Sequence, residues 1–361
     1  MKVKTSLLAA TWLAASSLFA NSAELRVYNW SDYIDEAILE DFKKETGIEV
    51  TYDVFDSNEL LETKLLSGST GFDVVVPSGA FLSRQIEAGV FQKLDMSKLP
   101  NIANMWDKIR ENTAKYGSLN DYSVNYMWGT TGIGYNVAKV KEILGTDTID
   151  SWDIVFKPEN LAKFKDCGVT MLDAPDEIIP ATLNYLGIDP NSAAPEDLAK
   201  AETLLASIRP FVRKFHSSEY INGLATGDIC LAVGWSGDVL QARDRASEAG
   251  QGVTIAYAIP KEGALMWFDQ LAIPADAKNI AEAHMFINYM MRPEVIAKAS
   301  NYVAYANGNK ASQALLNPDV LSDPGIYPTE EATKRLYIKL TYDPKGQRLA
   351  TRLWTKVVTG Q

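Results

Sequence analysis

The chain has 361 residues, with 46 acidic against 35 basic side chains, a formal net charge of -11, two histidines and two cysteines. That balance argues against a nucleic-acid partner, which calls for a basic face. His216 and His284 lie far apart without ligand spacing, so they read as structural, and zinc or serine-triad chemistry is disfavoured.

The opening MKVKTSLLAATWLAASSLFANSAELRV pairs two lysines with a short apolar run and small residues, the layout of a secretory signal. Residues 1–23 are expected to be removed near Ala23, which predicts a periplasmic protein in a Gram-negative cell. Loss of Lys2 and Lys4 makes the remainder two charges more negative. No later segment is long and apolar enough to cross a bilayer. The remaining roughly 338 residues exceed what one core usually holds, which predicts two lobes and a cleft.

ELRVYNW reads as a strand, DYIDEAILEDFKKETG as an amphipathic helix stopped by Gly47, and IEVTYDVF as the next strand. NELLETKLLSG is a helix, FDVVVPS a buried parallel strand, and AFLSRQIEAGV another helix. This βαβαβα start predicts α/β architecture with ligands at the carboxyl ends of the strands. Further on, GVTMLDAPDEIIP reads as a strand ending at Asp173 to Glu177. GDICLAVGWSGDVLQAR reads as a strand running into a helix, and GVTIAYAIPKEGALMWFDQLAIP as two extended segments. WGTTGIGYN and GVTIAYAIP are the candidate crossovers. They give lobes at 24–131 plus 251–304 and at 132–250 plus 305–361.

The strand ends carry aromatic residues beside carboxylates: Trp30 with Asp32, Trp235 with Asp238, Trp267 with Asp269. Each has a plainer explanation. Asp32 or Ser31 could simply cap the following helix, the tryptophans could be core, and Glu177 could lie in the first turn of a helix. The recurrence points to a cleft for a slender molecule with cationic ends and an apolar middle. Carboxylates accept charge-assisted hydrogen bonds from ammonium groups, and aromatic faces cover methylenes and attract cations.

VYNWSDYIDEAILEDFKKETGIEV, GFDVVVPSGAFLSRQIEAGVFQKLD, WGTTGIGYN, GWSGD and FDQLAIPADAKN, in that order, resemble the periplasmic polyamine-binding proteins of ABC importers, the putrescine and spermidine binders. The resemblance implies a type II periplasmic-binding fold closing on a polyamine, no cofactor, no metal, no covalent chemistry, an inner-membrane ABC permease as partner, and a monomer. It implies ligand contacts from Trp30, Ser31, Asp32, Tyr33, Ser78, Glu177, Trp235, Asp238, Trp267, Asp269 and Tyr305. Cys167 and Cys230, which an oxidising compartment would favour pairing, fall where the putrescine branch has a disulfide. Asp238 fits that branch, whereas Trp267 stands where the spermidine binders carry tryptophan, so both ligands stay open.

Overall fold

The structure, a computed structural model, describes residues 23–360, so the expected signal lies outside the described residues apart from Ala23. The first half-sheet is built from β1 (Glu24–Trp30), α1 (Glu36–Thr46), β2 (Glu49–Phe55), α2 (Asn58–Ser67), β3 (Val74–Val75) and α3 (Gly79–Glu87). β1 pairs in parallel with β2 over seven residues, from Glu24 opposite Glu49 to Trp30 opposite Phe55, and with β3 on its other edge. Parallel pairing forces each connection across the sheet through a helix, which buries both faces.

A 14-residue strand, β4 (Ser123–Asn136), is buried along its whole length. It is followed by β5 (Val169–Met171), β6 (Lys214–Phe215), β7 (Leu231–Trp235), β8 (Ile255–Ala258), β9 (Met266–Ala272) and β10 (Ala306–Asn307). The strand order is β2-β1-β3-β9-β4-β7-β5-β6, with β8 and β10 also on β4. β4 changes partners midway. Thr130 lies opposite Met266 of β9, and Thr131 lies opposite Trp235 of β7. One strand therefore belongs to both half-sheets, and the chain returns between them through β8 and β9.

The buried apolar residues form two clusters. One collects Leu25 to Trp128, Leu240 and Met266 to Ile326; the other collects Ile133 to Val233, Val239, Ile255 and Tyr342 to Val357. This packing departs from the expected boundaries. Ile255 lies in the second cluster although 251–304 was expected in the first lobe. Tyr305, Ala306 and Ile326 pack in the first although 305–361 was expected in the second. The physical reason is pairing: β8 and β10 each hydrogen-bond a different half of β4. A third crossing follows, because Ile338 packs on the first cluster and Tyr342 inside the second. Cys167 and Cys230 are disulfide-bonded, with α-carbons 5.6 Å apart. Each precedes a strand of the parallel pair β5 and β7.

Residues 31–34 do not begin the first helix. Asp35 is its N-cap, accepting from the Ala37 N–H, while Asp32 sits at φ 53° in the turn before it. The expectation that Asp32 or Ser31 caps this helix is corrected. The extra turn drives Tyr33 and Ile34 into the core, with 5% and 8% of their surface exposed. The helix stops as expected at Gly47, whose φ of 74° is open to glycine at little cost.

Candidate functional site

A cavity lies where the two clusters face each other. It is lined by Trp30, Ser31, Tyr33, Asp56, Ser78, Glu177, Ser217, Ser218, Trp235, Asp238, Trp267, Asp269 and Tyr305. Ten of the eleven residues anticipated from sequence are on that wall. No lysine or arginine is among them.

Asp269 is 4% exposed. It accepts from the Tyr33 hydroxyl at 2.8 Å and from Ser78 Oγ at 2.6 Å. Ser78 is the N-cap residue of α3 but makes no side-chain cap bond. Its hydroxyl, free of that task, donates to Asp269 and accepts from Asn58 Nδ2, while Asn58 Oδ1 accepts the Ser78 N–H. Trp267 and Asp269, two apart on β9, point to the same face of the strand.

Asp238 lies in the first turn of the helix Ser236–Ala249, where the helix dipole favours a carboxylate. It accepts from Tyr220 at 2.8 Å and from Tyr305 at 2.6 Å. Tyr305 comes from the first cluster, so this carboxylate is held from both sides of the cleft. Gly237 makes the approach possible: a Cβ there would stand 2.4 Å from the Tyr305 ring. Gly129 does the same for Trp267, whose ring would lie 2.6 Å from an added Cβ.

Glu177, in the first turn of the helix Pro175–Tyr185, accepts from the Thr131 hydroxyl at the point where β4 changes partners. The strand expected to run to Asp173 stops at Met171. Glu177 thus has the helical position foreseen as an alternative, and lines the cavity as well.

Burial raises all three carboxyls. Glu177 is pushed up to about 8 and Asp269 to about 7, while Asp238, opposed by the Tyr305 and Tyr220 hydroxyls, rises to about 6. A carboxylate withdrawn from water without a counter-ion favours its neutral form. The enclosed site is therefore short of positive charge.

The aromatic walls meet edge to face: Trp30 on Trp235 at 5.6 Å, Trp267 on Tyr305 at 5.3 Å, and Tyr33 on Tyr305 at 5.2 Å. Such contacts fix ring positions and leave faces free to cover methylenes. The Trp30 indole N–H donates to the Val76 carbonyl at 2.9 Å, pinning it to the sheet.

Asp32 does not line the cavity. It pairs with Arg245 of the helix Ser236–Ala249 at 2.9 Å, with both side chains substantially exposed. Its anticipated ligand contact gives way to this pair across the cleft, because its φ of 53° belongs to a turn that directs Tyr33 inward. Its charge still raises Asp238.

Sequence reasoning missed Asp56, Ser217 and Ser218 on the wall, and Tyr220, Thr131 and Asn58 behind it. Asp56 directly follows β2, and the two serines follow β6, so the strand-end rule could have found them. His216 Nδ1 accepts the N–H groups of Ser218 and Glu219, which shapes that serine loop. His284 accepts the Asp95 N–H and contacts the Ile280 carbonyl, a structural role.

A family model described as "Bacterial extracellular solute-binding protein" matches residues 37–329. The putrescine-binding periplasmic protein PotF of Escherichia coli K12 is 53% identical over 351 residues, 97% of this chain and 95% of its own. The putrescine-binding periplasmic protein SpuD of Pseudomonas aeruginosa is 51% identical over 350 residues, with the same two coverages. The solved spermidine/putrescine ABC transporter substrate-binding protein PotD of Streptococcus pneumoniae superposes with a TM-score of 0.77 at 29% identity, over 94% of this chain and 99% of its own. The architecture is the type II periplasmic-binding fold. With matches that run nearly the full length of both partners, the chain belongs to the bacterial extracellular solute-binding proteins.

Proposed function

We propose that this protein is the periplasmic binding component of a polyamine ABC importer, taking putrescine or spermidine between its lobes and presenting it to an inner-membrane permease. The observation that carries this reading is the cavity wall itself: Asp269, buried, and Glu177 and Asp238, half-buried, share it with aromatic rings, and no basic side chain is among the lining residues. Each carboxylate keeps lone pairs beyond those used by its hydroxyl donors, and ammonium groups fill them with charge-assisted bonds. The relatives named above bind putrescine or spermidine according to their descriptions.

On this reading, Asp269 with Ser78 and Tyr33 anchors one amine, Asp238 and Glu177 serve others, and Trp30, Trp235, Trp267 and Tyr305 sheathe the methylenes. Closure is favoured by ligand because its amines then meet groups from both sides of the cleft at once. Binding, without chemical conversion, is all the site has to do. The expected periplasmic location agrees with the relatives' descriptions; no helix of the described residues is long and apolar enough to cross a membrane.

Calorimetric titration of the mature protein, freed of ligand by unfolding and refolding, tests the reading. One-to-one heat with putrescine, cadaverine, spermidine or spermine is expected. Silence with all four, from folded protein, would overturn it.

A further inference from the structure

Among the described residues, Lys339 is the one lysine or arginine that is buried, with 4% of its surface exposed. Its ammonium donates to the Leu340 carbonyl and lies 3.2 Å from the centre of the Tyr342 ring, without a carboxylate in ion-pair contact. A buried lysine without a carboxylate partner is costly, and such groups concentrate where function requires them.

The segment carrying it crosses between the lobes beside the site. Thr341 Oγ1 donates to the carbonyl of Ala80, two residues after Ser78, at 2.9 Å. Tyr337 pairs along the chain before β9: its N–H donates to the Ala264 carbonyl, and its carbonyl accepts from Met266 N–H. On the other lobe the acid acting most strongly on Lys339 is Asp176, which immediately precedes Glu177. Lys339 thus lies two residues before the Thr341 contact, on a segment that passes the Ser78 end of the cavity behind its lining residues.

Two of the acids at that end are already engaged. Arg84 grips Glu62 with two bonds of 2.6 and 2.8 Å and reaches Asp176 across the cleft at 3.5 Å. Asp173 accepts from the Trp354 indole N–H, and Glu59 is exposed. Arg84 thereby engages both Glu62 and Asp176.

We propose that Lys339 is a specificity-determining residue that holds a fixed ammonium at the Ser78 and Glu177 end of the cavity and so favours diamines over triamines. The proposal rests on the polyamine reading and deepens it. A diamine ends before this region, whereas the extra aminopropyl arm of a triamine would bring a third cation toward Lys339. Like charges in a poorly solvated space repel strongly, and specificity comes as much from repelling the wrong ligand as from attracting the right one.

The test is calorimetry of the mature protein and its Lys339→Met and Lys339→Arg variants with putrescine and with spermidine, alongside their melting temperatures. Lys339→Met keeps much of the side-chain volume and removes the charge. It should raise spermidine affinity about tenfold relative to putrescine, equivalent to about 1.4 kcal/mol. Lys339→Arg should leave the ratio near that of the unaltered protein. If the unaltered protein binds neither amine, the polyamine reading fails and this role falls with it. If it binds and Lys339→Met leaves the ratio within about twofold, or if both variants shift it equally, the side chain acts through packing and the assignment is overturned.

Discussion

Asp269→Asn isolates the charge of the most enclosed carboxylate in the site. The substitution keeps the size of the side chain and an oxygen able to accept from Tyr33 or Ser78, so the hydroxyl network loses part of its donors' target and not its shape. What disappears is the negative charge of a side chain only 4% exposed, which on the proposed reading meets the ligand's ammonium. Truncating one partner of a buried charge pair costs on the order of 2 to 5 kcal/mol, or roughly 30-fold to several thousandfold in Kd. The assay is putrescine titration at pH 8, above the value of about 7 to which burial raises this group, so that ionisation does not mask the effect. Under those conditions the carboxylate is largely charged even before the ligand arrives. A loss below about threefold, with melting temperature and ligand stoichiometry unchanged, would mean that the ammonium does not reach Asp269 and that the anchor is elsewhere.

Other outcomes follow from the same geometry. The folded structure holds Asp238, Asp269 and Glu177 at about 6, 7 and 8, all above the ordinary carboxylate range. Raised carboxyls stabilise that form below the unfolded values and stop doing so as pH climbs through the folded ones; a cation reverses this by favouring the charged state. Ligand-induced thermal stabilisation should therefore grow between pH 5 and 8, and binding should release protons, seen as heats that vary with the buffer's ionisation enthalpy; buffer-independent heats would refute the linkage. Trp267→Phe should change the spermidine to putrescine affinity ratio, and a constant ratio would make the indole a packing residue. Asp32→Ala should weaken binding by less than about tenfold, since an exposed pair with Arg245 contributes little, and a larger loss would place Asp32 on the ligand. Replacing Cys167 and Cys230 by serine opens a link across 63 positions, which should lower stability by about 2 to 4 kcal/mol in chemical denaturation while leaving affinity intact.

The sequence alone determined the local vocabulary. Periodicity and glycine stops located β1, β2 and the end of α1 almost to the residue, because hydrophobic spacing and helix termination act within a few residues of chain. The pairing of aromatic residues with acids at strand ends was legible for the same reason, and motif wording extended it to Ser78, Glu177 and Tyr305. Only the tertiary structure decided which half of β4 each later strand would join. That choice assigned Tyr305 to the first lobe and Ile255 to the second. It also decided that Asp32 would face Arg245 across the cleft while Asp56, Ser217 and Ser218 took places on the wall. The same assembly put Glu177, Asp238 and Asp269 on one wall, with Asp269 buried and the other two half-buried. Burial and charge proximity are properties of segments that meet in space, and here the meeting residues lie more than a hundred positions apart: Tyr33 with Asp269, Thr341 with Ala80.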